Sequence, residues 1–422
     1  MGGAAPKRES VRHVPDDEHG AAPQAAPRRT GVAPPTGEPV VHLKYVNFGP
    51  FIYKQMIDSV SGRPADGDIV AVADTRGELF GWAFWHGSSQ IALRMITHAP
   101  ARPDDATLAA RVASAVALRR DLLRLDATTD AYRLVHAEGD GLSGLVADRF
   151  GRVVVIELFS VAMYRRLTMI EDAFIDAGLD VSAFVVRADP RVCEQEGFAL
   201  GKAERSKAGV AVITENGVPF QVDLAAGHKT GFFCDQRDNR LAFSQLTAGR
   251  SVLDVCCYTG GFGIYAAKLG GAASVSAVDL DEKALEVARA NARLNEVSVR
   301  FTHDDAFDFL RRAAAEGRTW QAVVVDPSKF VRRRSELELG LHKYADLNRL
   351  ACQAVAPGGL LLTCSCSGLV DAETFIQTVG KASRSAGREL KIFRVSSAAG
   401  DHPRTPGAPE AGYLKAVWAR VE

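Results

Sequence analysis

Two short motifs in the C-terminal half carry the residues best suited to covalent chemistry. Cys364-Ser-Cys-Ser-Gly368 and Asp326-Pro-Ser-Lys-Phe330 each follow an apolar run that predicts a buried strand. A thiolate that adds to C6 of a pyrimidine makes C5 nucleophilic, and a nearby carboxyl group can hydrogen-bond the N3 edge of the base and offset the charge that forms. Cys366 is the predicted nucleophile, and Asp326 is its acidic partner. Further predicted contacts with the base are Pro327, Lys329 and Phe330.

The remaining cysteines are predicted to be small buried side chains, the usual role of a free cysteine. The chain has seven cysteines, an odd number in a long chain, so no disulfide framework is expected. Cys364 and Cys366 form a C-x-C pair, but no second Cys or His pair stands at zinc-ligand spacing, and no metal is predicted. The cysteines assigned to the core are Cys193, Cys234, Cys256, Cys257, Cys352 and Cys364.

A glycine-rich turn predicts a cofactor site at the end of the first C-terminal strand. The motif Asp254-Val-Cys-Cys-Tyr-Thr-Gly-Gly-Phe-Gly263 leads from that strand into a helix, and its glycines let the backbone approach a ligand closely. The spacing differs from the G-x-G-x-x-G of dinucleotide enzymes, and Asp254 would repel a diphosphate. The zwitterionic methionine end of S-adenosylmethionine (SAM) suits this turn, so SAM is the predicted cofactor.

Acidic residues at four consecutive strand ends support the same cofactor. Asp279 is positioned to accept the ribose hydroxyls and Asp305 the adenine amine, while Asp254 and Asp326 end two further strands. The alternative is that these acids only cap helices, as Asp281 is expected to do. The predicted cofactor contacts in this region are Asp254, Tyr258, Thr259, Gly260, Gly261, Phe262, Asp279 and Asp305.

The segment Gly227–Arg240, which precedes the strands, is a polar loop and the start of a helix. Gln236 and Arg237 are predicted to cover the methionine end of the cofactor, and Lys229 to contact an RNA phosphate. The alternative is a polar linker between domains.

The pattern of apolar residues predicts a disordered tail followed by three domains. Residues 1–38 have no apolar periodicity and form the predicted tail, whereas residues 39–100 contain short apolar runs broken by turn residues and predict a β module. Residues 101–223 mix strands and helices in an α+β domain. Residues 224–422 alternate short strands with helices, which predicts an open, mostly parallel α/β sheet. Its predicted strands are Val252–Cys256, Val275–Leu280, Val299–Thr302, Ala322–Asp326 and Gly359–Thr363, with a helix from Asp281 to Asn295.

Composition is that of a globular protein and gives no sign of a membrane span. Hydrophobic residues make up 47% of the 422 residues and charged residues 24%, with a formal net charge of zero. No apolar run reaches the roughly 18 residues of a membrane helix, and the N-terminus lacks a signal-peptide core, so a cytoplasmic location is expected. Any RNA-binding surface must come from local patches, because the overall charge is balanced.

The motifs together resemble those of the bacterial large-subunit rRNA cytosine-C5 methyltransferases that carry an N-terminal PUA domain. The resemblance covers nearly everything from about Val41. It implies a PUA-like RNA-binding β-barrel, a central α+β domain and a Rossmann-like class I methyltransferase domain. It also implies a homodimer that makes 5-methylcytosine in 23S rRNA, with Cys366 as the catalytic cysteine and Asp326 in the acidic motif. The motifs that carry it are Tyr132–Leu142, Gly227–Gly231, Asp235–Asp238, Tyr258–Phe262, Asp326–Phe330, Ser365–Gly368 and Asp401–Pro403.

Two departures from the family pattern bear on substrate. Ser328 replaces the second proline of the usual Asp-Pro-Pro-Lys-Phe, which loosens that loop, and Asn47-Phe-Gly-Pro-Phe51 stands where the family has His-Pro-Trp. Two other functions compete with the predicted one. Guanine N-methyltransferases share this scaffold with Asn in place of the cysteine, because a nitrogen needs no covalent activation. A non-catalytic RNA-binding or ribosome-assembly factor is the other alternative, and the intact acids and Cys366 argue against it.

Overall fold

The computed structural model describes residues 31–201, 209–224, 231–408 and 411–422. Most of the predicted N-terminal tail and the predicted RNA contact Lys229 therefore lie outside the described residues. Residues 31–38 run along the first sheet without forming a helix or strand. There, Leu79 N donates a hydrogen bond to Val32 O (2.8 Å), and Glu38 forms an ion pair with Arg102 (3.2 Å).

The N-terminal module is a six-stranded sheet with the order β2-β6-β5-β4-β1-β3. The central strand β4 is buried on both sides. Val70 and Val72 point into the module's own core, whereas Ile69 and Ala71 join the core of the next domain. This double burial explains the continuous apolar run of β4 and fixes the module against the middle domain. The strands are β1 Val40–Leu43, β2 Phe51–Tyr53, β3 Ile57–Ser61, β4 Ile69–Ala73, β5 Leu79–Trp85 and β6 Ile91–Thr97.

The middle domain is α+β, as the sequence predicts, and is built on a four-stranded sheet with the order β10-β9-β8-β7. Asp104 caps α1 by accepting a hydrogen bond from Thr107 N (2.8 Å), and α1 packs on α3 over the sheet. The elements are α1 Asp105–Ala117, β7 Ala131–His136, β8 Leu145–Phe150, β9 Val153–Leu158, α2 Val161–Tyr164, α3 Leu167–Asp176, β10 Ala183–Arg187 and α4 Pro190–Glu196.

A hairpin, which the sequence pattern did not single out, joins the middle domain to the C-terminal one. Its strands are β11 Val210–Glu215 and β12 Val218–Asp223. Phe220 on β12 packs beside Phe150 of the middle domain and Tyr265 of the C-terminal domain in one apolar cluster. The two domains therefore share a core at this hairpin.

The C-terminal domain contains a seven-stranded sheet with the order β15-β14-β13-β16-β17-β19-β18. In this sheet β19 runs in the direction opposite to the other six strands. The five strands predicted from apolar runs are all present, and their ends differ by a few residues. The largest difference is β17, which begins earlier than predicted. The elements are α5 Arg237–Ser244, β13 Ser251–Val255, α6 Gly261–Lys268, β14 Ser274–Asp279, α7 Glu282–Leu294, β15 Arg300–His303, α8 Ala306–Ala315, β16 Trp320–Val325, α9 Leu337–Ala354, β17 Val355–Ser365, α10 Ala372–Ser385, β18 Leu390–Ser396 and β19 Lys415–Val421.

The described parts of the loop between β18 and β19, residues 397–408 and 411–414, touch all three domains. Ala399 N donates to Asp235 O (2.9 Å) within the C-terminal domain. A Cβ built on Gly139 would lie 2.0 Å from Pro403 O, so only glycine fits where the middle domain meets this loop. A Cβ on Gly407 would lie 3.2 Å from Phe48 O of the N-terminal module. This connecting loop therefore fixes how the domains surround the sheet edge.

Candidate active site

Asp254 is buried beneath the glycine turn. Its Oδ2 accepts a hydrogen bond from Gly263 N (2.8 Å), and its Oδ1 is buried with no hydrogen-bond partner among the described residues. Burial raises the pKa of Asp254 to about 7, and the nearby Asp326 and Asp279 add to the rise. A buried carboxyl with an unused oxygen favours a cationic neighbour. The residues here therefore fit the ammonium and sulfonium groups of SAM.

Asp279 holds the glycine turn in its strained shape. Its two oxygens accept hydrogen bonds from Tyr258 N (2.7 Å) and Asp281 N (2.9 Å). Within the turn, Cys256 and Tyr258 adopt left-handed φ values of 61° and 49°, which are costly for residues other than glycine. Each Asp279 oxygen keeps a second lone pair, so the carboxylate can brace the turn and still accept ribose hydroxyls.

The rest of the turn is held close to neighbouring helices. Asn291 Nδ2 donates to Thr259 O (3.3 Å), and Gly260 has a φ of 83°. A Cβ on Gly261 would lie 2.9 Å from the Arg240 side chain, so a larger residue would displace that arginine. Gly260 and Gly261 therefore present only backbone at this end of the sheet.

Asp305 serves as a helix cap, as the alternative interpretation of the acids anticipated. Its Oδ1 accepts hydrogen bonds from Phe307 N (2.9 Å) and Asp308 N (3.2 Å) at the start of α8. Asp281 caps α7 through Lys283 N and Ala284 N in the same way. The cap uses one oxygen of Asp305, so an adenine contact through Oδ2 remains a prediction.

Asp326 is oriented by an amide chain. Gln236 Nε2 donates to Asp326 Oδ2 (3.0 Å), and Asn239 Nδ2 donates to Gln236 Oε1 (2.7 Å). Asn239 Oδ1 in turn accepts from Ser396 Oγ (2.7 Å). Because each amide has its oxygen occupied from behind, the NH₂ group of Gln236 faces the carboxylate. The structure thus gives Gln236, predicted as a cofactor contact, a place against Asp326.

Cys366 lies just beyond the end of β17, beside the loop that follows β16. Its Sγ is 3.7 Å from Pro327 O, and the residue is partly exposed. Cys364, two residues earlier, is fully buried, and burial raises the pKa of its thiol well above the usual value. Of this pair, Cys366 alone is accessible to a substrate. The structure thus brings the predicted nucleophile and the Asp326-Pro327 loop together.

Hydrogen bonds to Ser367, the residue after Cys366, hold this turn. Ser367 Oγ lies 2.9 Å from Tyr344 Oη and accepts from Val331 N (3.2 Å). Lys415 Nζ donates to the backbone carbonyl of the same residue, Ser367 O (2.6 Å), and to Tyr413 O (2.8 Å). The sulfur is therefore presented from a turn fixed by a helix, a loop and a strand.

One predicted ligand contact, Phe262, points into the core instead. The ring of Phe262 is 5% exposed and packs edge-on against Phe243, with 5.8 Å between ring centroids. Phe330 packs against Tyr344 at 4.8 Å. The Phe262 ring fills space between a helix and the sheet, which corrects the expectation that it lines the cofactor. Phe330 is only partly buried, and its stacking on the base stays a prediction. Pro327 is buried, whereas Lys329 is exposed.

Arg237, also predicted to contact the cofactor, is buried at the domain junction. Its Nη1 and Nη2 donate to Asp401 Oδ2 (3.1 Å) and Oδ1 (3.0 Å). Arg133 N of the middle domain donates to the same carboxylate (2.9 Å), and Arg119 Nη2 donates to Asp401 O (2.6 Å). We therefore assign Arg237 to the junction. In the sequence, the only sign that Asp401 matters is that Asp401-His-Pro403 belongs to the motifs shared with the family.

A groove of about 820 Å³ opens between the three domains. The N-terminal module contributes Phe51 and Arg94, the middle domain His136, and the C-terminal domain Lys329 and Tyr413. Lys329 belongs to the motif that begins with Asp326, so the groove reaches the loop beside Cys366. Within the described residues no group of acidic, histidine or cysteine side chains is arranged to hold a metal, and no helix is long and apolar enough to cross a bilayer.

The fold and site define a class. The order of the seven strands, with one antiparallel strand near the edge, a glycine turn after the first strand and an acid at the end of the second, is that of a SAM-dependent methyltransferase. A family model described as S-adenosylmethionine-dependent methyltransferase matches residues 202–417, and a PUA-like domain model matches residues 43–98.

The sequences of two relatives match most of the chain. Ribosomal RNA large subunit methyltransferase I from Shewanella frigidimarina is 39% identical over 381 residues, covering 88% of this chain and 95% of the relative. The protein of the same name from Aeromonas hydrophila is 38% identical with the same coverage. The chain belongs to this family of SAM-dependent methyltransferases with an N-terminal PUA-like domain.

Solved structures share the whole architecture. A protein from Streptococcus mutans described as a SAM-dependent methyltransferase superposes with a TM-score of 0.75 at 18% identity, covering 90% of this chain and 99% of the other. A methyltransferase solved as a complex with SAH gives a TM-score of 0.74 at 19% identity, with the same coverage. At this identity the likeness establishes the fold.

Proposed function

We propose that this protein transfers the methyl group of SAM to C5 of a cytosine in large-subunit ribosomal RNA, with Cys366 as the covalent nucleophile. The observation that carries the proposal is the half-buried Cys366 Sγ, 3.7 Å from Pro327 O in the loop that begins with Asp326. The relatives, named as large-subunit rRNA methyltransferases, support the choice of rRNA. Both predicted reactive groups then act from neighbouring strand ends.

Cys366 and Asp326 have different roles in the proposed reaction. The Cys366 thiolate adds to C6 of the cytosine, and the electron pair of the C5–C6 double bond moves to C5. Asp326, held by Gln236, donates the proton of its acid form to N3 of the cytosine and so offsets the negative charge that builds up on the ring. When bound, SAM would supply the methyl group to which C5 bonds, and S-adenosylhomocysteine would be the leaving group. Loss of the C5 proton to a base then re-forms the double bond and expels Cys366.

The cofactor and RNA positions follow from the same site. Asp254, Asp279 and the backbone of Tyr258–Gly261 would hold SAM, with Asp254 opposite its ammonium group. The groove between the domains supports an RNA path, because it joins Phe51 and Arg94 of the PUA-like module to Lys329 beside the catalytic loop. A base at the end of the groove that the C-terminal domain lines would lie next to Cys366.

Analysis of the modified nucleosides tests this proposal. Unmodified 23S rRNA is incubated with the protein and isotopically labelled SAM, digested to nucleosides and separated by mass spectrometry. The expected product is labelled 5-methylcytidine. The Cys366→Ala variant is expected to make none, while Cys364→Ala, the matched control two residues away, keeps activity if it folds. Labelled methylguanosine would contradict the proposal and favour a guanine N-methyltransferase.

We further propose that the protein acts in the cytoplasm as a homodimer, with domain boundaries near residues 38, 100 and 223. Among the described residues, the outer strand β18 exposes three apolar side chains, Ile392, Phe393 and Val395. An unpaired strand edge with exposed apolar residues is suited to pairing with its own copy. Sedimentation should give a dimer for the protein and a monomer for Phe393→Glu. A monomeric parent protein would contradict the dimer and leave the methyl-transfer proposal untouched.

A further inference from the structure

Lys415 is a buried lysine beside the turn that carries Cys366. It is the first residue of β19, and it pairs with Ser365 across the antiparallel ladder between β17 and β19. Only 5% of the residue is exposed. Lysine is rarely buried to this extent unless its charge is paired or used, since removing an ammonium group from water is costly. The pairing of the two strands therefore places Lys415 opposite Ser365, the residue directly before Cys366.

The hydrogen bonds of Lys415 leave one of its N–H bonds for a further partner. Nζ donates to Ser367 O and Tyr413 O, both backbone carbonyls, and Lys415 forms no ion pair with a carboxylate of the described chain. An ammonium group has three N–H donors. Because Ser367 directly follows Cys366, the nitrogen is anchored at the turn from which the sulfur projects.

The charges around Lys415 point to the same pairing. Burial lowers the pKa of Lys415 to about 8, and Lys329 lowers it further, whereas Cys366 and then Asp371 act in the opposite direction. Cys366 is thus the group whose negative charge interacts most strongly with this ammonium. With a pKa near 8, the lysine stays mostly protonated at neutral pH.

We propose that Lys415 is a positioning residue that keeps Cys366 in its thiolate form for attack on the pyrimidine. The inference rests on the proposed function, because it assigns Cys366 the nucleophilic role. The thiol proton of Cys366 leaves to solvent, and Lys415 remains an ammonium throughout, so no proton passes between the two. A cation beside a cysteine lowers the pKa of its thiol and raises the fraction that can react at neutral pH. The two carbonyls of Ser367 and Tyr413 hold the cation in place.

The test measures the reactivity of Cys366 without RNA. The full-length protein is alkylated with iodoacetamide between pH 5 and 10, and the rate at each cysteine is read by peptide mass spectrometry. We expect half-maximal reactivity of Cys366 well below pH 8.5, the ordinary value for a free thiol. In Lys415→Met the curve should move up by about one pH unit, which lowers the rate at pH 7 roughly tenfold. Lys415→Arg, which keeps the charge, should move it less.

Controls separate this effect from a loss of structure. Cys364, fully buried, should stay unreactive in each protein, and thermal unfolding with and without SAM should confirm that Lys415→Met is folded. A Cys366 curve centred at or above pH 8.5 in the unaltered protein would overturn the inference even if the variant failed to fold. An unchanged curve in folded Lys415→Met would also overturn it. Neither result depends on the product, so nucleoside analysis still judges the proposed function separately.

Discussion

Buried charges are arranged in opposite ways at the domain junction and at the catalytic edge of the sheet. At the junction, Asp401 accepts hydrogen bonds from both terminal nitrogens of Arg237 and from Arg133 N. Despite the burial, His402 and then Arg237 hold the pKa of Asp401 well below its usual range. At the catalytic edge, burial instead raises the pKa of Asp254 to about 7, and the neighbouring carboxylates Asp326 and Asp279 contribute.

The contrast separates charges that hold the domains together from charges that await a ligand. A buried ion pair whose hydrogen bonds are complete has little left to offer a substrate. A buried acid with an unpartnered oxygen, such as Asp254, is costly until a cation reaches it. Paired buried charge thus marks the scaffold, and unpaired buried charge marks the site.

The junction should fail by unfolding. Asp401→Ala leaves the guanidinium of Arg237 buried without its carboxylate, and we expect the free energy of unfolding to fall by about 3–5 kcal/mol. The matched control is Asp180→Ala, which removes an exposed pair with Arg152 and should cost less than about 1 kcal/mol. Urea denaturation followed by circular dichroism measures both. Equal small losses would erase the distinction between the two regions.

The catalytic edge should fail in turnover. Asp326→Asn keeps the size of the side chain and removes the acidic proton that it supplies to N3, so we expect kcat to fall by roughly 10²–10³-fold, the usual effect of losing one group that stabilises developing charge. The unfolding midpoint and SAM affinity should stay close to those of the parent protein. Steady-state methyl transfer and calorimetric SAM binding measure these quantities. A stability loss as large as that of Asp401→Ala would make Asp326 part of the scaffold.

SAM affinity should depend on pH through Asp254. The folded-state pKa of about 7 lies above the ordinary value of 3.8, so the stability that this group contributes is complete below that value and is lost as pH rises through about 7. The cationic cofactor favours the carboxylate, so its affinity should rise as pH increases, by about tenfold between pH 6 and pH 8. Calorimetric titration measures the change, and Asp254→Asn should flatten it. A pH-independent affinity in the unaltered protein would separate Asp254 from the cofactor.

Much of the catalytic edge could be predicted from the sequence, because its residues lie in short sequence patterns that predict where each strand ends. Apolar runs predict the strands, and an acid or a cysteine after such a run must lie at the same edge of a parallel sheet, which places Asp254, Asp279, Asp326 and Cys366 near one another. The direction of a side chain within a loop is not local. Phe262 turns into the core because helix α5 supplies Phe243 as a partner.

The junction and Lys415 could not be predicted in this way. Arg237 and Asp401 are 164 residues apart, and no local sequence pattern around either residue predicts that the two form an ion pair. Lys415 is a single cation at the start of an apolar strand, a position that is normally solvent-exposed. Its place beside Cys366 depends on the register of β19 against β17, which only the assembled sheet determines.

Covalent trapping tests the central claim most directly. An rRNA fragment that contains 5-fluorocytidine lacks the C5 proton whose loss releases the enzyme, so a nucleophile that adds to C6 and receives the methyl group at C5 remains attached. With SAM present, we predict a stable protein–RNA adduct that peptide mass spectrometry assigns to Cys366 and that Cys366→Ala does not form. No adduct from a protein that methylates the unmodified fragment, or an adduct on another cysteine, would contradict the account.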